Sequence, residues 1–236
     1  MKYGIIGAMQ EEVNDLRTKI AVSATKSFGR HEYISGTLAG RDLVLTCSGI
    51  GKVSAGSAAA VLFSFFNCDI VINFGVGGGL HPALKTLDMV ISSGAAQHDF
   101  DLTVFSYKPG QVPGFPQIIP AEKKITDSAM AAAAEVAAKY GFSVYSGLII
   151  SGDQFIAGND ARKAIDEKFP AAWATEMEGA AIAQVAAEFQ KPFLVIRSIS
   201  DKANGEADIT FNEMLPLAAR NSQEVLFKIL EKGLSL

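Results

Sequence analysis

Short apolar runs along the chain alternate with longer segments whose apolar residues recur at helical spacing. Each run is bounded by glycine or polar residues and has the length and composition of a buried strand. The runs are Lys2–Ile6, Asp69–Phe74, Met89–Ser92, Leu148–Ser151 and Phe193–Ile199. The pattern therefore predicts a sheet whose central strands are covered on both faces.

The segments between these runs are predicted to be helices. Apolar residues three or four positions apart, or a high alanine content, distinguish them from strands. They are Gln10–Ile20, Val53–Phe66, Ala121–Tyr140, Ala161–Phe169, Glu178–Phe189 and Phe211–Leu230. Strands and helices alternate to the end without a linker or an internal repeat, which predicts one α/β domain over residues 1–236.

Two features refine the predicted architecture. His31–Leu38 and Leu43–Cys47 flank Ala39-Gly40-Arg41-Asp42, a hairpin signal that makes the sheet mixed instead of parallel. Residues 108–120 contain four prolines and two glycines, which predicts a long irregular loop of the kind that often carries function. The predicted fold class is α/β, a three-layer α/β/α sandwich around a mixed central sheet.

Composition and charge narrow the functional classes. Hydrophobic residues make up 49% of the chain and charged residues 19%, as in folded globular proteins. The net charge of −4 and the lack of a Lys/Arg run argue against a nucleic-acid partner. We expect no membrane association and a cytoplasmic location, because neither a bilayer-spanning run nor a signal peptide is recognisable. Cys47 and Cys68 lie in apolar surroundings and are expected to be free thiols.

Acidic residues follow several of the predicted strands. Glu11 and Glu12 come after the first strand, Glu176 and Glu178 follow an apolar segment, and Asp201 closes the last strand. The carboxyl ends of strands in an open α/β sheet line the ligand crevice. Because carboxylates are costly to bury unpaired, their convergence there indicates acid/base chemistry or binding of a polyhydroxyl ligand.

Each of these acids also has a structural explanation. The helix dipole alone favours acids in a first turn, which accounts for one of Glu11 and Glu12. Glu176 and Glu178 either cap a helix or clamp a ribose diol, since a carboxylate accepts two hydroxyl hydrogen bonds. Asp201 is either a turn residue or a general acid whose pKa is raised by burial.

Two further motifs bear on whether the protein binds a cofactor or a metal. Gly75-Val76-Gly77-Gly78-Gly79 is predicted to be a loop that allows close approach of a ligand. No helix follows it at the spacing of the dinucleotide fingerprint, so NAD is not expected. His98-Asp99-Phe100-Asp101 resembles metal spacing, but no further His/Cys cluster supports it and no metal is expected.

Five motifs in the same order resemble those of the 5′-methylthioadenosine/S-adenosylhomocysteine nucleosidases, within the purine nucleoside phosphorylase superfamily. They are Gly4-Ile5-Ile6-Gly7-Ala8-Met9 with Glu11-Glu12, Ser48-Gly49-Ile50-Gly51-Lys52-Val53, Ser151-Gly152-Asp153-Gln154-Phe155-Ile156, Glu176-Met177-Glu178, and Arg197-Ser198-Ile199-Ser200-Asp201. The resemblance extends from Met1 to the C-terminal helix. It implies a homodimer that uses water, and no cofactor, to cleave the adenine–ribose bond of methylthioadenosine and adenosylhomocysteine in methionine salvage.

The resemblance also implies roles for individual residues. Glu12 is expected to activate water, Glu178 beside Met177 to hold the ribose, and Asp201 to protonate adenine N7. Further substrate contacts are expected from Gly78, Phe155, Ile156, Arg197 and Ser200, and walls of an alkylthio pocket from Met9, Ile50 and Phe211. Leu102, Phe105 and Pro113 are expected to reach across the dimer and cap the neighbour's pocket.

One departure from the family pattern and three alternatives remain at this point. Val76 stands where the family commonly has a hydroxyl residue, which is expected to leave Glu12 with one hydrogen-bond partner fewer. The alternatives are a nucleoside phosphorylase, a nucleoside-binding protein that has lost catalysis, and a futalosine-type nucleosidase. The acidic segment after the first strand argues against the phosphorylase, and the complete set of carboxylates argues against lost catalysis.

Overall fold

The computed structural model describes residues 1–203 and 207–235, and within these ranges the chain forms ten strands and six α-helices. The strands are β1 (Lys2–Gly7), β2 (Ala21–Phe28), β3 (His31–Leu38), β4 (Arg41–Cys47), β5 (Ile70–Gly79), β6 (Met89–Gln97), β7 (Ile119–Pro120), β8 (Val144–Ser151), β9 (Ala172–Glu176) and β10 (Phe193–Asp201). The helices are α1 (Gln10–Lys19), α2 (Lys52–Ser64), α3 (Lys123–Tyr140), α4 (Asn159–Lys168), α5 (Gly179–Glu188) and α6 (Ala207–Lys232). No helix in these ranges is both long enough and apolar enough to cross a membrane.

Helices cover both faces of a mixed sheet. On one face, α1, α3 and α6 contribute residues such as Leu16, Ala133 and Leu226 to a large apolar core. On the other face, the alanine-rich helices α2 and α5 pack through small side chains such as Ala58 and Ala183. This arrangement confirms the predicted α/β/α sandwich.

The strand pairings explain why several chain segments meet at one place. β5 pairs in parallel with β1 and β10, while β2, β3 and β4 form an antiparallel extension beside β1. β5, β10, β6, β8 and β9 pair in a closed ring, because β9 returns to the end of β5. In that ring Gly78 is flanked by Thr175 on β9 and by Asp201 on β10.

Most of the predicted elements are confirmed, including the β3–β4 hairpin and the free thiols. Three strands, β2, β7 and β9, were not delimited by the sequence prediction. Nearly every residue of β2 is exposed, so this edge strand lacks the apolar alternation that identifies a strand. β9 has only five residues, two of them polar, and its apolar face is too short to be recognised.

The predicted glycine loop is wrong. Gly75–Gly79 continues β5, and all ten residues of this strand are buried. Glycine disfavours strands intrinsically, but here neighbouring groups approach the backbone closely from both sides. Several predicted boundaries also shift: β6 extends to Gln97, β8 begins at Val144, β7 ends the 108–120 loop early, and α6 begins at Ala207 instead of Phe211.

Candidate active site

One cleft opens beside the ends of β1, β5, β9 and β10. Its described lining consists of Ala8, Met9, Glu12, Ile50, Val76, Gly77, Gly78, Gln154, Phe155, Ile156, Thr175, Glu176, Met177, Glu178, Ser200, Asp201 and Phe211. Four of these residues carry carboxylates, and none of the described lining residues is Lys, Arg or His.

Glu12 lies in the first turn of α1 and is held by backbone N–H groups. Its Oε2 accepts hydrogen bonds from the N–H of Ala8 at 2.7 Å and of Met9 at 3.0 Å, and its Oε1 from that of Val76 at 3.0 Å. A Cβ at Gly75 would lie 2.1 Å from the same Oε1. The glycine-rich segment thus admits a close approach, as predicted, but the group that approaches Gly75 is the carboxylate of Glu12.

The environment of Glu12 suits a base. Its side chain is buried, and burial raises the pKa of the carboxyl, while Arg197 and the three N–H groups act in the opposite direction. The net effect is a pKa above the ordinary value for glutamate. A carboxylate of raised basicity facing a cleft accepts a proton from water more readily than an exposed one.

Glu176 serves the structure around the cleft. Its carboxylate accepts hydrogen bonds from the N–H of Glu178 at 3.1 Å and of Gly179 at 2.8 Å, which caps the start of α5. It also forms a buried ion pair with Arg197 and accepts the hydroxyl of Ser151. Of the two explanations for this acid, the helix cap is the one that the contacts support.

Glu178 differs from Glu176 although only one residue separates them. Its Oε1 accepts the N–H of Gly51 at 2.8 Å, and its Oε2 lies 3.6 Å from Nη2 of Arg197. Burial and the nearby charge of Glu176 raise the pKa of Glu178 to about 8, against the attraction of Arg197. Because its second oxygen has only a distant cation, Glu178 can accept hydrogen bonds from a ligand in the cleft.

Asp201 ends β10 with its side chain almost fully buried. Its Oδ1 accepts the N–H of Ala203 at 2.7 Å, and its Oδ2 accepts the hydroxyl of Ser200 at 2.8 Å. Burial raises the pKa of Asp201 above its ordinary value despite these two hydrogen bonds. The expected environment of a general acid is therefore present, and Ser200 orients the carboxyl.

Most residues predicted to bind substrate line the cleft: Met9, Ile50, Gly78, Phe155, Ile156, Met177, Ser200 and Phe211. The half-exposed ring of Phe155 stands edge-to-face against Phe211, with 5.6 Å between the ring centroids. Both rings therefore form one aromatic corner of the cleft.

Arg197, which was predicted to contact the substrate, is not among the described residues that line the cleft. It is buried beneath the cleft, and its guanidinium is engaged by Glu176, Asn73 and the carbonyl of Ile196. It can therefore act on the cleft through Glu176 and Glu178, with which it forms ion pairs.

Three predicted residues lie away from this cleft. Leu102, Phe105 and Pro113 belong to the segment after β6, which contains a short 3₁₀ turn, Thr103–Phe105. Phe105 is 69% exposed. Their predicted role concerns a second subunit, so it stays a prediction.

Sequence reasoning missed several contributors to the cleft, among them two side chains and one backbone donor. Gln154 and Thr175 line it, and the backbone N–H of Gly51 binds Glu178 across 127 positions of sequence. Backbone donors have no residue-type signature in the sequence. The only local sign at this position is the glycine itself, whose φ of 100° other residues rarely adopt. Thr175 is brought in by β9, one of the strands that were not recognised.

The backbone N–H of Val76 donates a hydrogen bond to Glu12. Glu12 therefore keeps one contact at this position, although the valine side chain cannot add another. Its side chain packs in a small apolar cluster with Ala218, Ala219 and Phe211. We expect Val76→Ser to leave turnover of methylthioadenosine unchanged or raise it up to about fivefold, because one added hydrogen bond contributes about 1 kcal/mol.

Steady-state assays of Val76→Ser beside Val76→Ala check this expectation. Alanine removes the valine methyl groups without adding a hydroxyl, so it separates packing from hydrogen bonding. A large loss of turnover in both folded variants would show instead that the valine shapes the cleft for another substrate.

The described residues contain no group of three His, Cys, Asp or Glu side chains arranged around a metal position. His98, from the motif that resembled metal spacing, is buried and packs against Gly152. Asp99 instead forms an ion pair with Lys52.

Comparisons with known proteins agree with this geometry. A family model described as the phosphorylase superfamily matches residues 2–231. A 5′-methylthioadenosine/S-adenosylhomocysteine nucleosidase from Neisseria meningitidis, solved with methylthio-immucillin-A, is 40% identical with a TM-score of 0.94, covering 98% of this chain and 99% of that one. The corresponding enzyme from Colwellia psychrerythraea, solved with adenine, is 39% identical with a TM-score of 0.91, covering 100% and 98%. Futalosine hydrolase of Helicobacter pylori is also similar, at 31% identity and a TM-score of 0.89, covering 99% and 98%.

Proposed function

Because this chain belongs to the 5′-methylthioadenosine/S-adenosylhomocysteine nucleosidases of the phosphorylase superfamily, we propose that it hydrolyses the N-glycosidic bond of these two nucleosides. The products are adenine and a thioribose sugar, and the reaction needs no cofactor. One observation carries the choice of water as nucleophile: four carboxylates and no cationic side chain stand among the described residues that line the cleft.

The leaving base is activated by Asp201. Cleavage of a nucleoside by water passes through a transition state in which the sugar resembles an oxocarbenium ion. Adenine is a poor leaving group as an anion, so a proton must reach its N7 as the bond to C1′ breaks. Asp201 is buried and its raised pKa favours the protonated form that can donate this proton.

Glu12 and Glu178 act on the sugar side. Glu12 accepts a proton from water as the water oxygen bonds to C1′, which balances the proton that Asp201 gives to adenine. Glu178 accepts hydrogen bonds from the ribose hydroxyls. Its ionised form, which becomes the major form as the pH rises through its pKa of about 8, stabilises positive charge that develops on the ring. The N–H of Gly51 and the guanidinium of Arg197 support the ionised form of Glu178.

The other residues that line the cleft contact the two ends of the substrate, the purine and the 5′-alkylthio group. Phe155 offers a half-exposed ring on which the purine stacks, and the backbone of Ile156 reads the edge of the base. Met9, Ile50 and Phe211 supply an apolar surface for the 5′-alkylthio group, which suits its thioether.

Release of adenine from a panel of 5′-substituted adenosines tests this function. The panel contains methylthioadenosine, adenosylhomocysteine and adenosine, with futalosine as the probe for the related hydrolase. We expect the two thioethers to be cleaved with the highest kcat/KM. Preferred cleavage of futalosine, or no cleavage of any member, would contradict the proposed function.

We propose further that the active form is a homodimer in which the segment containing Leu102, Phe105 and Pro113 caps the partner's cleft. Phe105 and its neighbour Val104, which is 83% exposed, place two large apolar side chains in water. Exposed apolar patches of this kind mark interfaces, and a twofold dimer is the commonest closed oligomer.

Sedimentation of Phe105→Glu is expected to show a dimer weakened by roughly 30-fold or more, because an interface anchor contributes about 2 kcal/mol. Adenine release should fall with the loss of dimer. Val22→Glu, at an exposed apolar position on β2, is the matched control and should leave both properties unchanged. A fully active wild-type monomer at assay concentration would refute the dimer.

A further inference from the structure

A polar network lies behind the wall of the cleft and joins two of its segments. The ammonium of Lys52, at the start of α2, forms an ion pair with Asp99 and donates to Oε1 of Gln97 at 2.9 Å. The backbone N–H of Lys52 donates to Oδ1 of Asp153 at 2.8 Å, and the N–H of Asp153 donates to Oδ2 of Asp99 at 2.9 Å. Lys52, Asp99 and Asp153 therefore close a cycle, which we call the Lys52 clamp.

The ion pair of the clamp is largely shielded from solvent, whereas Asp153 is exposed. The side chains of Lys52 and Asp99 are 15% and 17% exposed. Burial raises the pKa of Asp99, but its hydrogen bonds with Lys52 and with the N–H of Asp153 outweigh that effect, so the pKa lies below the ordinary value. An ion pair of this kind is screened by salt much less than a surface pair.

Each end of the clamp continues directly into a wall of the cleft. Gly51, the residue before Lys52, donates its N–H to Glu178, and Ile50 lines the cleft. On the other side, Gln154, Phe155 and Ile156 follow Asp153 and form the aromatic wall. The clamp itself is not part of the lining, so it acts on a ligand only through these neighbours.

The fit between the two segments is close. A Cβ at Gly51 would lie 3.1 Å from Oδ1 of Asp153, and Gly51 has a φ of 100° that other residues rarely adopt. The network extends to α5, since Nε2 of Gln97 donates to Gln184 at 2.6 Å. α5 begins directly after Glu178, so both the start of α2 and the body of α5 are linked to the same ammonium.

We infer that Lys52 is a positioning residue for the proposed reaction: its clamp with Asp99 and Asp153 fixes the Gly51 N–H against Glu178 and the Phe155 wall against the base. This inference rests on the proposed function. It assigns no chemical step to Lys52. Without the ammonium, Asp99 loses its link to α2 and the cycle opens. Within the clamp, only the hydrogen bond from the backbone N–H of Lys52 to Asp153 then joins the two segments, so the ribose and base sites are held less firmly relative to each other.

Lys52→Met tests the inference, because methionine keeps much of the length of the side chain and removes its charge. We expect kcat/KM for methylthioadenosine to fall roughly 10- to 100-fold, since small misplacements of binding groups have effects of this size. Both kcat and KM should change, because the clamp holds the catalytic Glu178 and the wall that binds the base. Lys52→Arg should recover part of the loss by restoring the cation.

The pH profile provides a readout that loss of stability alone does not move. Glu178 faces Glu176, Arg197, Glu12 and the N–H of Gly51, and this N–H favours its ionised form. In Lys52→Met the N–H is no longer fixed, so the limb of the profile that follows Glu178 should move to higher pH. Glu178→Gln identifies that limb by removing it.

Two controls keep the test decisive. Lys52→Met combined with Asp99→Asn leaves no unpaired charge in place of the Lys52–Asp99 ion pair, and its activity should resemble that of Lys52→Met alone because both variants lack that ion pair. Lys123→Met breaks an exposed ion pair with Asp127 on α3 and should leave activity unchanged.

The inference alone would be overturned if the wild-type protein is active and the folded Lys52→Met and double variants have kcat/KM values within twofold of it. Their pH profiles would also have to be the same as that of the wild type. A wild-type protein that releases no adenine would overturn the proposed function together with it.

Discussion

Glu12→Gln is expected to lower kcat for adenine release by roughly 10²–10⁴-fold, the usual contribution of a general base. Glutamine cannot accept the proton of the attacking water. Its amide group would also place a donor where the carboxylate now accepts three backbone N–H groups, from Ala8, Met9 and Val76. Steady-state assays on the folded variant, with unfolding followed in parallel, measure the effect.

The adjacent Glu11 offers a matched control. Glu11 occupies the same first turn of α1 but is exposed and does not line the cleft. Glu11→Gln changes the charge of the turn by the same amount and should leave kcat within about twofold, as surface substitutions usually have small effects. Equal losses in the two variants would mean that Glu12 acts through the charge of the helix end and not on water.

The second large effect is expected from Asp201→Asn, which should lower kcat by roughly 10²–10⁴-fold because the acid that protonates the leaving adenine is removed. Asparagine nearly matches the shape of aspartate and can still accept one of the hydrogen bonds from Ala203 and Ser200. Near wild-type turnover in the folded variant would contradict the assignment of Asp201 as the acid.

The pH dependence gives a second test of Asp201. Its raised pKa keeps the carboxyl protonated to higher pH than an exposed aspartate, so wild-type activity should fall as pH rises through that pKa. Asparagine does not titrate, so the corresponding limb should disappear from the residual activity of Asp201→Asn. Asp88→Asn is the control, because Asp88 is also buried but lies outside the cleft; it should affect stability without removing the limb.

The central strands, and the position of the carboxylates in the cleft, could be predicted because both leave local signals. An apolar run such as that in β10 has few alternatives to a buried strand, and an acid directly after it stands out. β2 could not be recognised because its residues are exposed, and the extension of β5 through Gly75–Gly79 contradicts the intrinsic preference of glycine. Tertiary pairing with β9 and β10 overrides that preference.

The residue pattern alone did not separate the roles of Glu176 and Glu178, although the family resemblance assigned the ribose to Glu178. Both flank Met177, and both explanations applied equally to each. The structure separates them through partners distant in the chain: Arg197 and Ser151 engage Glu176, whereas Gly51 engages Glu178. The clamp of Lys52 with Asp99 and Asp153 was missed for the same reason, since it joins segments 47 and 101 positions apart.

The central claim is that water, and not phosphate, attacks the sugar. A phosphate ion in the cleft would meet the carboxylate of Glu12, and no cationic side chain belongs to the described lining. At about 4 Å, two like charges repel by about 4 kcal/mol at an effective dielectric constant of 20, and a dianion roughly doubles this. The repulsion disfavours productive binding of phosphate.

The most direct test is the identity of the sugar product formed from methylthioadenosine in ¹⁸O-labelled water, with and without inorganic phosphate. We predict a free thioribose that carries one labelled oxygen at C1, formed at a rate that phosphate does not increase. A ribose 1-phosphate product, or a rate that depends on phosphate, would contradict the account and identify the protein as a phosphorylase.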